Sequence, residues 1–211
     1  MKKKLNIIFS ICFSILIITG IIQFSVGFKQ LYYFDIEYLD IPKLSGYSRE
    51  EIKLNYDYLI DYNLGKEKKE FEMPTIKSSK EGKIHFEEVR DIFQNIEKIF
   101  KICFIISIVG IVINIKNKNI DFLNITSKAL ISIPALLSLP IIINFEKSFV
   151  IFHELMFSND YWIFDPRLDP VIEILPEEFF FHAGVMIIVL IFISSIVAYS
   201  IYRILKIKRE Q

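Results

Sequence analysis

Residues 5–28 read LNIIFSICFSILIITGIIQFSVGF and contain no charged side chain. At about 1.5 Å per residue, a helix of this length can cross the roughly 30 Å hydrocarbon core of a bilayer. The run is longer than the apolar part of a cleaved signal peptide, and no A-x-A-like cleavage site follows it. We therefore interpret it as an anchor helix that remains in the protein.

The composition extends this interpretation to the rest of the chain. Hydrophobic residues make up 53% of the 211 positions, more than a soluble core of this size can bury, so lipid must cover part of them. Further apolar runs predict three more spans. The predicted boundaries are a first span at 1–28, an outer cap at 29–97, a second span at 98–116, a cytoplasmic loop at 117–128, a third span at 129–145, an outer interfacial segment at 146–178, a fourth span at 179–205 and a cytoplasmic tail at 206–211.

Basic residues are concentrated on one side of this arrangement. One set of span ends, with the segments beyond them, carries ten basic residues and only two acidic ones, Asp121 and Glu210. The ten are Lys2, Lys3, Lys4, Lys116, Lys118, Lys128, Arg203, Lys206, Lys208 and Arg209. The other side carries the remaining fifteen basic and twenty-three acidic residues. Because loops rich in Lys and Arg stay in the cytoplasm, both termini are predicted to be cytoplasmic and the cap extracellular.

The predicted cap combines strands and helix. In residues 30–41, the residues Tyr32, Phe34, Ile36 and Tyr38 recur at every second position, which is typical of a strand with one buried face. Ser48 and Glu51 have the spacing of a capping box, and the helix that they open is expected to end at Gly65. Residues 71–76 are predicted to add an edge strand, and from Ile84 a helical stripe runs into the second span. The fold class is therefore membrane α-helical, with four transmembrane helices and an extracellular α+β cap.

Three histidines lie near the outer ends of predicted spans. His85 precedes the second span, His153 follows the third, and His182 opens the fourth. A single histidine at an interface usually only meets solvent or caps a helix, but a four-helix bundle can gather three of them around one pocket. Imidazole is the side chain best suited to proton transfer near neutral pH.

The residues that follow two of these histidines carry further information. Residues 85–92 read HFEEVRDI, so Glu88 shares a helix face with His85 and is a candidate to orient its ring. Residues 152–162 read FHELMFSNDYW. This run begins like the His-Glu-x-x-His zinc motif, but Phe157 stands in place of the second ligand, which excludes that motif.

These two runs, in this order among four spans and an outer cap, resemble the lipoprotein intramolecular transacylase family of Gram-positive bacteria over essentially the whole chain. The resemblance implies a membrane acyltransferase. Its reaction would move the sn-2 acyl chain of a diacylglyceryl-cysteine lipoprotein to the α-amine of the same N-terminal cysteine, giving a lyso-form lipoprotein. It also implies two catalytic histidines at the boundary between cap and membrane, which match His85 and His153, whereas His182 has no counterpart.

The residues fit such an aminolysis, because the substrate supplies its own nucleophile and the chain has no serine-hydrolase elbow. One histidine would accept a proton from the ammonium and the other would give one to the leaving oxygen, although the sequence does not order the two. Closing a medium-sized ring requires the ends of the substrate to be held together, and the aromatic residues of the cap and of residues 161–164, Trp162 among them, are candidates for the confining wall. Asn159 and Arg167 are candidates to stabilise the oxyanion. Asp160 is a candidate to orient His153 or to cap a helix.

Two other functions remain open at this point. A metal-dependent membrane hydrolase would use the three histidines with Glu88 or Asp160 as ligands, and a non-catalytic membrane accessory protein would bind a partner through its acidic cap. For the transacylase we expect no metal, no cofactor and no nucleic acid. Its expected partners are diacylglyceryl-modified lipoproteins and membrane lipid. We expect a monomer that crosses the plasma membrane several times, with its active site at the extracellular face.

Overall fold

The computed structural model describes residues 2–67 and 69–211, with all of their side chains except those of residues 2, 3, 133 and 137–142. Residue 1 of the predicted first span and residue 68 of the predicted cap lie outside the described residues. Within those ranges the regular structure is entirely helical. The helices are α1 (Lys2–Gly27), α2 (Lys29–Tyr38), α3 (Ile41–Ser45), α4 (Arg49–Asn63), α5 (Lys80–Lys116), α6 (Asp121–Ile143), α7 (Phe145–Met156), α8 (Val171–Ile174) and α9 (Glu177–Glu210).

The chain divides into two compact units. The long-helix unit consists of Met1–Gln23, Ile96–Leu139 and Met186–Gln211. The histidine unit consists of Phe24–Asn95 and Pro140–Val185, and it contains all three histidines.

Two glycines mark the contact between α1 and α5 in the long-helix unit. A Cβ atom on Gly20 would lie 3.1 Å from the ring of Phe100. A Cβ atom on Gly110 would lie 2.8 Å from the ring of Phe9. Small residues of this kind let two helices approach closely, which is how helices associate where lipid removes the hydrophobic driving force.

Hydroxyl groups join the other helices of the same unit. Thr126 of α6 donates a hydrogen bond to the backbone oxygen of Ser10 in α1, at 3.3 Å. Ser195 of α9 donates to the backbone oxygen of Ser127 in α6, at 2.7 Å. Bonds between helices that use small hydroxyl side chains and backbone oxygens are typical of membrane bundles.

Two helical segments, Lys4–Gly27 and Glu177–Glu210, are long and apolar enough to cross a membrane. Only 17% and 11% of the residues in their most apolar stretches are buried. Their apolar side chains therefore face outward, where a bilayer would solvate them, rather than inward as in the core of a soluble protein. These segments overlap the predicted first and fourth spans, while the second and third, which overlap α5 and α6, stay predictions.

The strand predicted at residues 30–41 is wrong, because this segment forms the helix α2. Its buried residues are Tyr32, Asp35 and Ile36, which have the spacing of one helical face. Phe34 and Tyr38, the other two residues of the supposed strand face, are exposed. The alternation of aromatic and polar residues arose from an exposed aromatic face, which periodicity alone cannot distinguish from a buried one.

The edge strand predicted at residues 71–76 is also wrong, since no strand occurs in the part of the chain that the structure describes. Phe71, Met73 and Ile76 are buried, so the segment still directs apolar side chains inward. Side chains of α4 take the place of a partner strand. The side-chain oxygen of Asn55 accepts hydrogen bonds from the backbone of residues 75 and 76, and the Tyr58 hydroxyl accepts one from residue 72. The predicted α+β cap is therefore helical with an extended loop.

Two local predictions are confirmed. The side-chain oxygen of Ser48 accepts a hydrogen bond from the backbone of Glu51 at the start of α4, and the chain leaves that helix through Gly65 at a φ of 73°. The helix that carries His85 continues without a break into the apolar stretch of α5. The core of the histidine unit joins α2 and α4 to the loop and to the starts of α8 and α9. It includes Tyr32, Ile36, Ile52, Tyr56, Phe71, Phe86, Val171, Ile174 and Phe179.

Candidate active site

His85 lies in the second turn of α5 and is only 5% exposed. Aromatic rings surround it, with centroids at 4.7 Å for Phe157, 5.4 Å for Phe164 and 5.6 Å for Phe86. Its Nδ1 atom is buried and has no hydrogen-bond partner among the described residues. The site therefore keeps a ring nitrogen away from water and uncommitted, which a purely structural buried histidine rarely does.

His153 lies near the end of α7, and its tautomer follows from its surroundings. Its Nδ1 lies 2.7 Å from the backbone oxygen of Phe149, one turn earlier. A carbonyl oxygen can only accept, so Nδ1 carries the hydrogen and Nε2 keeps its lone pair. The ring packs against Phe149 at 4.1 Å and Trp162 at 4.8 Å. His153 is thus held in the form that can accept a proton at Nε2.

The two imidazoles lie close together although 68 positions separate them in the sequence. Their centroids are 6.1 Å apart with an angle of 34° between the planes. Phe157 contacts both rings, at 4.7 Å from that of His85 and 5.6 Å from that of His153. The residue that breaks the zinc motif is therefore part of the wall shared by the two histidines.

Burial sets the charge state of both imidazoles. Removal from water, together with the smaller effect of the nearby His153, lowers the pKa of His85 to about 4. Burial also lowers the pKa of His153, while the hydrogen bond to the carbonyl of Phe149 acts against it. Because burial penalises the charged form, both rings are neutral at neutral pH and each can accept a proton.

Glu88 lies one turn after His85, but its hydrogen bond goes elsewhere. Asn159 Nδ2 donates to Glu88 Oε1 at 2.8 Å, and Asn159 Oδ1 accepts from the backbone of Tyr161 at 3.0 Å. The second carboxylate oxygen, Oε2, is buried and has no partner within the described ranges. Glu88 therefore fastens α5 to the loop after α7 instead of using that bond to orient His85.

Of the remaining predicted site residues, Trp162 lies at the imidazole pair, whereas Asp160 and Arg167 do not. Trp162 packs on His153, and its indole Nε1 is buried without a partner among the residues described. Asp160 is exposed, and its backbone oxygen accepts from Ile163 in a turn. Arg167 is 87% exposed and binds Asp165 through two guanidinium nitrogens. The structure thus brings Trp162 to the imidazole pair and leaves Asp160 and Arg167 at the surface.

His182 belongs to a second pair. Its Nδ1 lies 2.9 Å from Asp35 Oδ1, and Asp35 is fully buried in α2. Burial raises the pKa of the Asp35 carboxyl, and the hydrogen bond from His182 acts in the opposite direction. The sequence alone does not reveal Asp35 as a partner of His182, because 147 positions separate the two residues and the pattern of residues 30–41 predicts a strand.

Asp169 is a further residue that sequence analysis missed. It is 5% exposed, and its Oδ1 accepts a hydrogen bond from the backbone of Ser79 at 2.7 Å, just before α5 begins. A Cβ atom on Gly82 would lie 2.2 Å from the same oxygen. The absence of a side chain at Gly82 therefore lets the segment that carries Trp162 dock onto the first turn of the helix that carries His85.

Phe149 and Phe157 were also absent from the predicted site, whereas Phe164 belongs to the predicted confining wall. Phe149, His153 and Phe157 are spaced four residues apart, which places them on one face of α7 and at its end. That spacing was the available signal. Within the described part of the chain, no group of three His, Cys, Asp or Glu side chains has the geometry to hold a metal ion.

A model of the family described as lipoprotein intramolecular transacylase Lit matches residues 7–180. The chain belongs to this family. Three solved structures of Lit from Bacillus cereus are similar to it, and each is matched over 100% of this chain. The first has 42% identity, a TM-score of 0.96 and 99% coverage of its own chain. Structures of the H85R and H85A variants of that protein have TM-scores of 0.90, with 41% and 42% identity and 94% and 96% coverage of their own chains. A comparison with curated proteins finds no match.

Membership in the lipoprotein intramolecular transacylase family confirms the predicted acyltransferase and its class of substrate. The solved relative is integral to the membrane, in agreement with the two long apolar segments of this chain. The imidazole pair lies within residues 7–180, the range that the family model covers.

Proposed function

We propose that this chain moves the sn-2 acyl group of a diacylglyceryl-cysteine lipoprotein to the α-amine of the same cysteine, with His85 and His153 as the proton-transfer groups. The observation that carries the proposal is the pair of neutral imidazoles, His85 buried and His153 half-buried, with ring centroids 6.1 Å apart in a member of the transacylase family. No protein nucleophile is needed, since the substrate amine attacks the substrate ester.

The proton balance of the reaction requires two sites. A new C–N bond forms while the bond between the acyl carbon and the glyceryl oxygen breaks. The nitrogen begins as an ammonium and ends as an amide with one hydrogen, so it loses two protons. One proton ends on the glyceryl oxygen and the other reaches solvent. Two neutral imidazoles are able to accept both protons and to return one of them.

The surroundings of the two rings favour different roles. His153 keeps Nε2 free, and the bond from its Nδ1 to Phe149 stabilises the imidazolium that forms. It therefore suits the general base that activates the amine. His85, whose pKa is about 4, holds a proton weakly once it has received one. It therefore suits the general acid that protonates the leaving glyceryl oxygen.

The aromatic wall contributes by confinement. Attack closes a ring through the nitrogen, Cα, Cβ, sulfur, two glyceryl carbons, the ester oxygen and the acyl carbon. Rings of this size close slowly in solution because the two ends rarely meet, so holding them together supplies a large part of the rate. Phe149, Phe157, Phe164 and Trp162 surround the imidazoles at 4.1 to 5.4 Å and restrict the space for the folded substrate.

The developing oxyanion needs a hydrogen-bond donor, and Trp162 fits this role better than the donors proposed from sequence. The Asn159 amide already donates to Glu88, and Arg167 is paired at the surface. The Trp162 N–H is buried, has no partner in the described residues and belongs to a ring that lies on His153. A donor shielded from water stabilises charge more strongly than one in solvent.

The proposed setting is the outer face of the plasma membrane. Four spans with both termini inside would place residues 29–97 and 146–178, which include His85 and His153, outside, and the charge distribution of the sequence supports this orientation. Lipoproteins are held in the membrane by their own acyl chains, so a site at lipid depth meets the ester directly. We propose a multi-pass monomer that acts on this substrate without leaving the bilayer surface.

The test is co-expression with a lipoprotein in a host that leaves the diacylglyceryl form unchanged. The transfer conserves mass, so tandem fragmentation of the N-terminal lipopeptide must locate each acyl chain. The expected product has an N-acylated cysteine and a monoacylglyceryl thioether. It should be lost in His85→Ala and His153→Ala and retained in Glu87→Gln, a change at an exposed position of α5. An unchanged diacylglyceryl peptide in the presence of expressed wild-type protein would contradict the proposal.

A further inference from the structure

Glu88 has a carboxylate oxygen that the proton transfers described above do not use. We propose that Glu88 Oε2 binds the α-ammonium of the substrate cysteine and thereby makes the site selective for lipoproteins with a free N-terminal amine. This inference rests on the transacylase function proposed above, and it adds a substrate-recognition role to a residue first considered as a partner of His85.

The carboxylate is fixed in position. Glu88 Oε1 accepts the hydrogen bond from Asn159 Nδ2, and the other end of the Asn159 amide accepts from the backbone of Tyr161. Both ends of that amide are thus engaged, which holds the Glu88 side chain in one orientation. Oε2 is left shielded from solvent with no partner in the described parts of the chain.

The negative charge of the Glu88 carboxylate has no cationic side chain to balance it among the described residues. No Lys or Arg among the described residues forms an ion pair with it, and Arg90 on the same helix lies over the ring of Tyr62 instead. A carboxylate oxygen that is removed from water without a cation or a donor is costly to hold. A cationic group on the ligand would remove this cost, and the reactive end of the proposed substrate is an ammonium.

Glu88 lies close to the histidines that are proposed to take protons from the substrate nitrogen. Glu88 lies one helical turn from His85 on α5. Its partner Asn159 lies two residues after Phe157, whose ring is 4.7 Å from that of His85. These two connections place the carboxylate beside the imidazole pair, where the substrate nitrogen must be for its protons to be removed. Glu87 and Asp91, the other acidic residues nearby on α5, are exposed.

The same contact also distinguishes substrate from product. Glu88 can hold the nitrogen both as an ammonium and, after one proton is lost, as a neutral amine that still donates a hydrogen bond. Once the acyl group has arrived, the nitrogen is an amide without charge. Because hydrogen bonds between charged groups are stronger than those of neutral ones, the single amide N–H of the product is held more weakly than the ammonium of the substrate, which favours release of the lyso-form lipoprotein.

The test uses two synthetic lipopeptides that cannot react, because their glyceryl chains are attached by ether bonds. One carries a free cysteine α-amine and the other an N-acetyl group. Binding is measured with the full-length protein in detergent micelles. The wild type should bind the free amine at least about tenfold more tightly than the N-acetyl probe, the size expected for one charge-assisted hydrogen bond. Glu88→Gln, which can still accept from Asn159, should weaken binding of the amine about tenfold and leave the N-acetyl probe unchanged.

Two controls separate recognition from folding and from the reaction itself. Glu87→Gln should bind both probes as the wild type does. Glu88→Gln should melt at or above the wild-type temperature, because it removes a buried charge that has no partner in the described residues. With an ester substrate, Glu88→Gln should raise KM far more than it lowers kcat. Equal binding of both probes by the wild type, or an equal loss of both in Glu88→Gln, would overturn the inference even if the wild type converts the ester. Selective binding of the amine without conversion would support the inference and count against the transacylase.

Discussion

The histidine unit contains two side-chain pairs that use imidazole in different ways. In the pair of His85 and His153, aromatic rings surround both partners and burial lowers the pKa of each. In the pair of His182 and Asp35, a ring nitrogen bonds to a fully buried carboxylate. The first arrangement leaves nitrogens free for chemistry. The second commits its nitrogen to a partner, which is the use of histidine expected in a structural contact.

A carboxylate next to a histidine does not by itself mark a proton-transfer site. A carboxylate favours the charged form of a neighbouring histidine, which would then be unable to act as a base. Among the residues that the structure describes, no carboxylate is bonded to His153, whose Nδ1 donates to a backbone oxygen. Its two rings therefore remain neutral, and the substrate can supply the protons.

The largest expected effect is on activity. His85→Leu should lower transacylation by about 10²- to 10⁴-fold, the contribution typical of a general acid or base. It should not lower the melting temperature, because the change removes a buried ring nitrogen that has no partner. The measurement is lipopeptide turnover together with a thermal melt in detergent. Retained turnover would remove His85 from the reactive pair.

The second expected effect is on stability rather than on activity. His182→Leu leaves the carboxylate of Asp35 buried without its hydrogen bond and should cost about 3 kcal/mol of stability. Asp35→Asn in the same chain should recover part of this loss, since the uncompensated charge is gone. A double-mutant cycle of melting temperatures measures the coupling. If the two single changes are additive, the pair is not the structural contact described above.

The third expectation concerns pH. The pKa of His85 falls to about 4 from 6.5, so between these values the unfolded chain binds more protons and stability decreases as the pH falls. The difference amounts to about 3 kcal/mol. The raised pKa of Asp35 acts in the opposite direction, because a folded state that binds the proton more tightly gains stability as the pH falls. Melting temperatures from pH 6.5 to pH 4 should therefore fall less steeply in His85→Leu than in the wild type.

A fourth change tests how the reactive pair is positioned. Gly82→Ala places a Cβ atom within 2.2 Å of the Asp169 carboxylate and should displace it from Ser79, costing about 2 kcal/mol. Activity should fall with stability, because the loop that carries Trp162 docks there. Gly184→Ala is the matched control, since nothing lies within 4 Å of its added Cβ atom. It should be neutral or stabilise α9 by up to about 1 kcal/mol in a thermal melt.

The smallest expected effect is at Trp162. Trp162→Phe keeps an aromatic ring against His153 and removes the buried N–H. If this group stabilises the oxyanion, kcat should fall about tenfold with little change in KM. This loss of kcat is smaller than the loss typical of removing a well-placed oxyanion donor in other enzymes. Steady-state kinetics on the ester lipopeptide measure this. A change confined to KM would assign Trp162 to the confining wall alone.

Several features of the site were predictable because they depend on neighbours in the sequence. Ser48 and Glu51 marked the start of α4, and the stripe from Ile84 marked a helix that continues into apolar sequence. His85 and His153 stood out because each is followed by a recognisable run of residues. α2 was mistaken for a strand because the exposed Phe34 and Tyr38 imitate a buried face.

The sequence by itself determined the long apolar helices, because the hydrophobic character of a run such as residues 5–28 is a local property that lipid solvates directly. It also determined which imidazoles to consider. Only the tertiary structure decided which partner each one has, since His85 and His153 are 68 positions apart and Asp35 and His182 are 147 apart. The charge of a histidine depends on burial and on these distant contacts. The division into a reactive pair and a structural pair therefore arises only when the chain is folded.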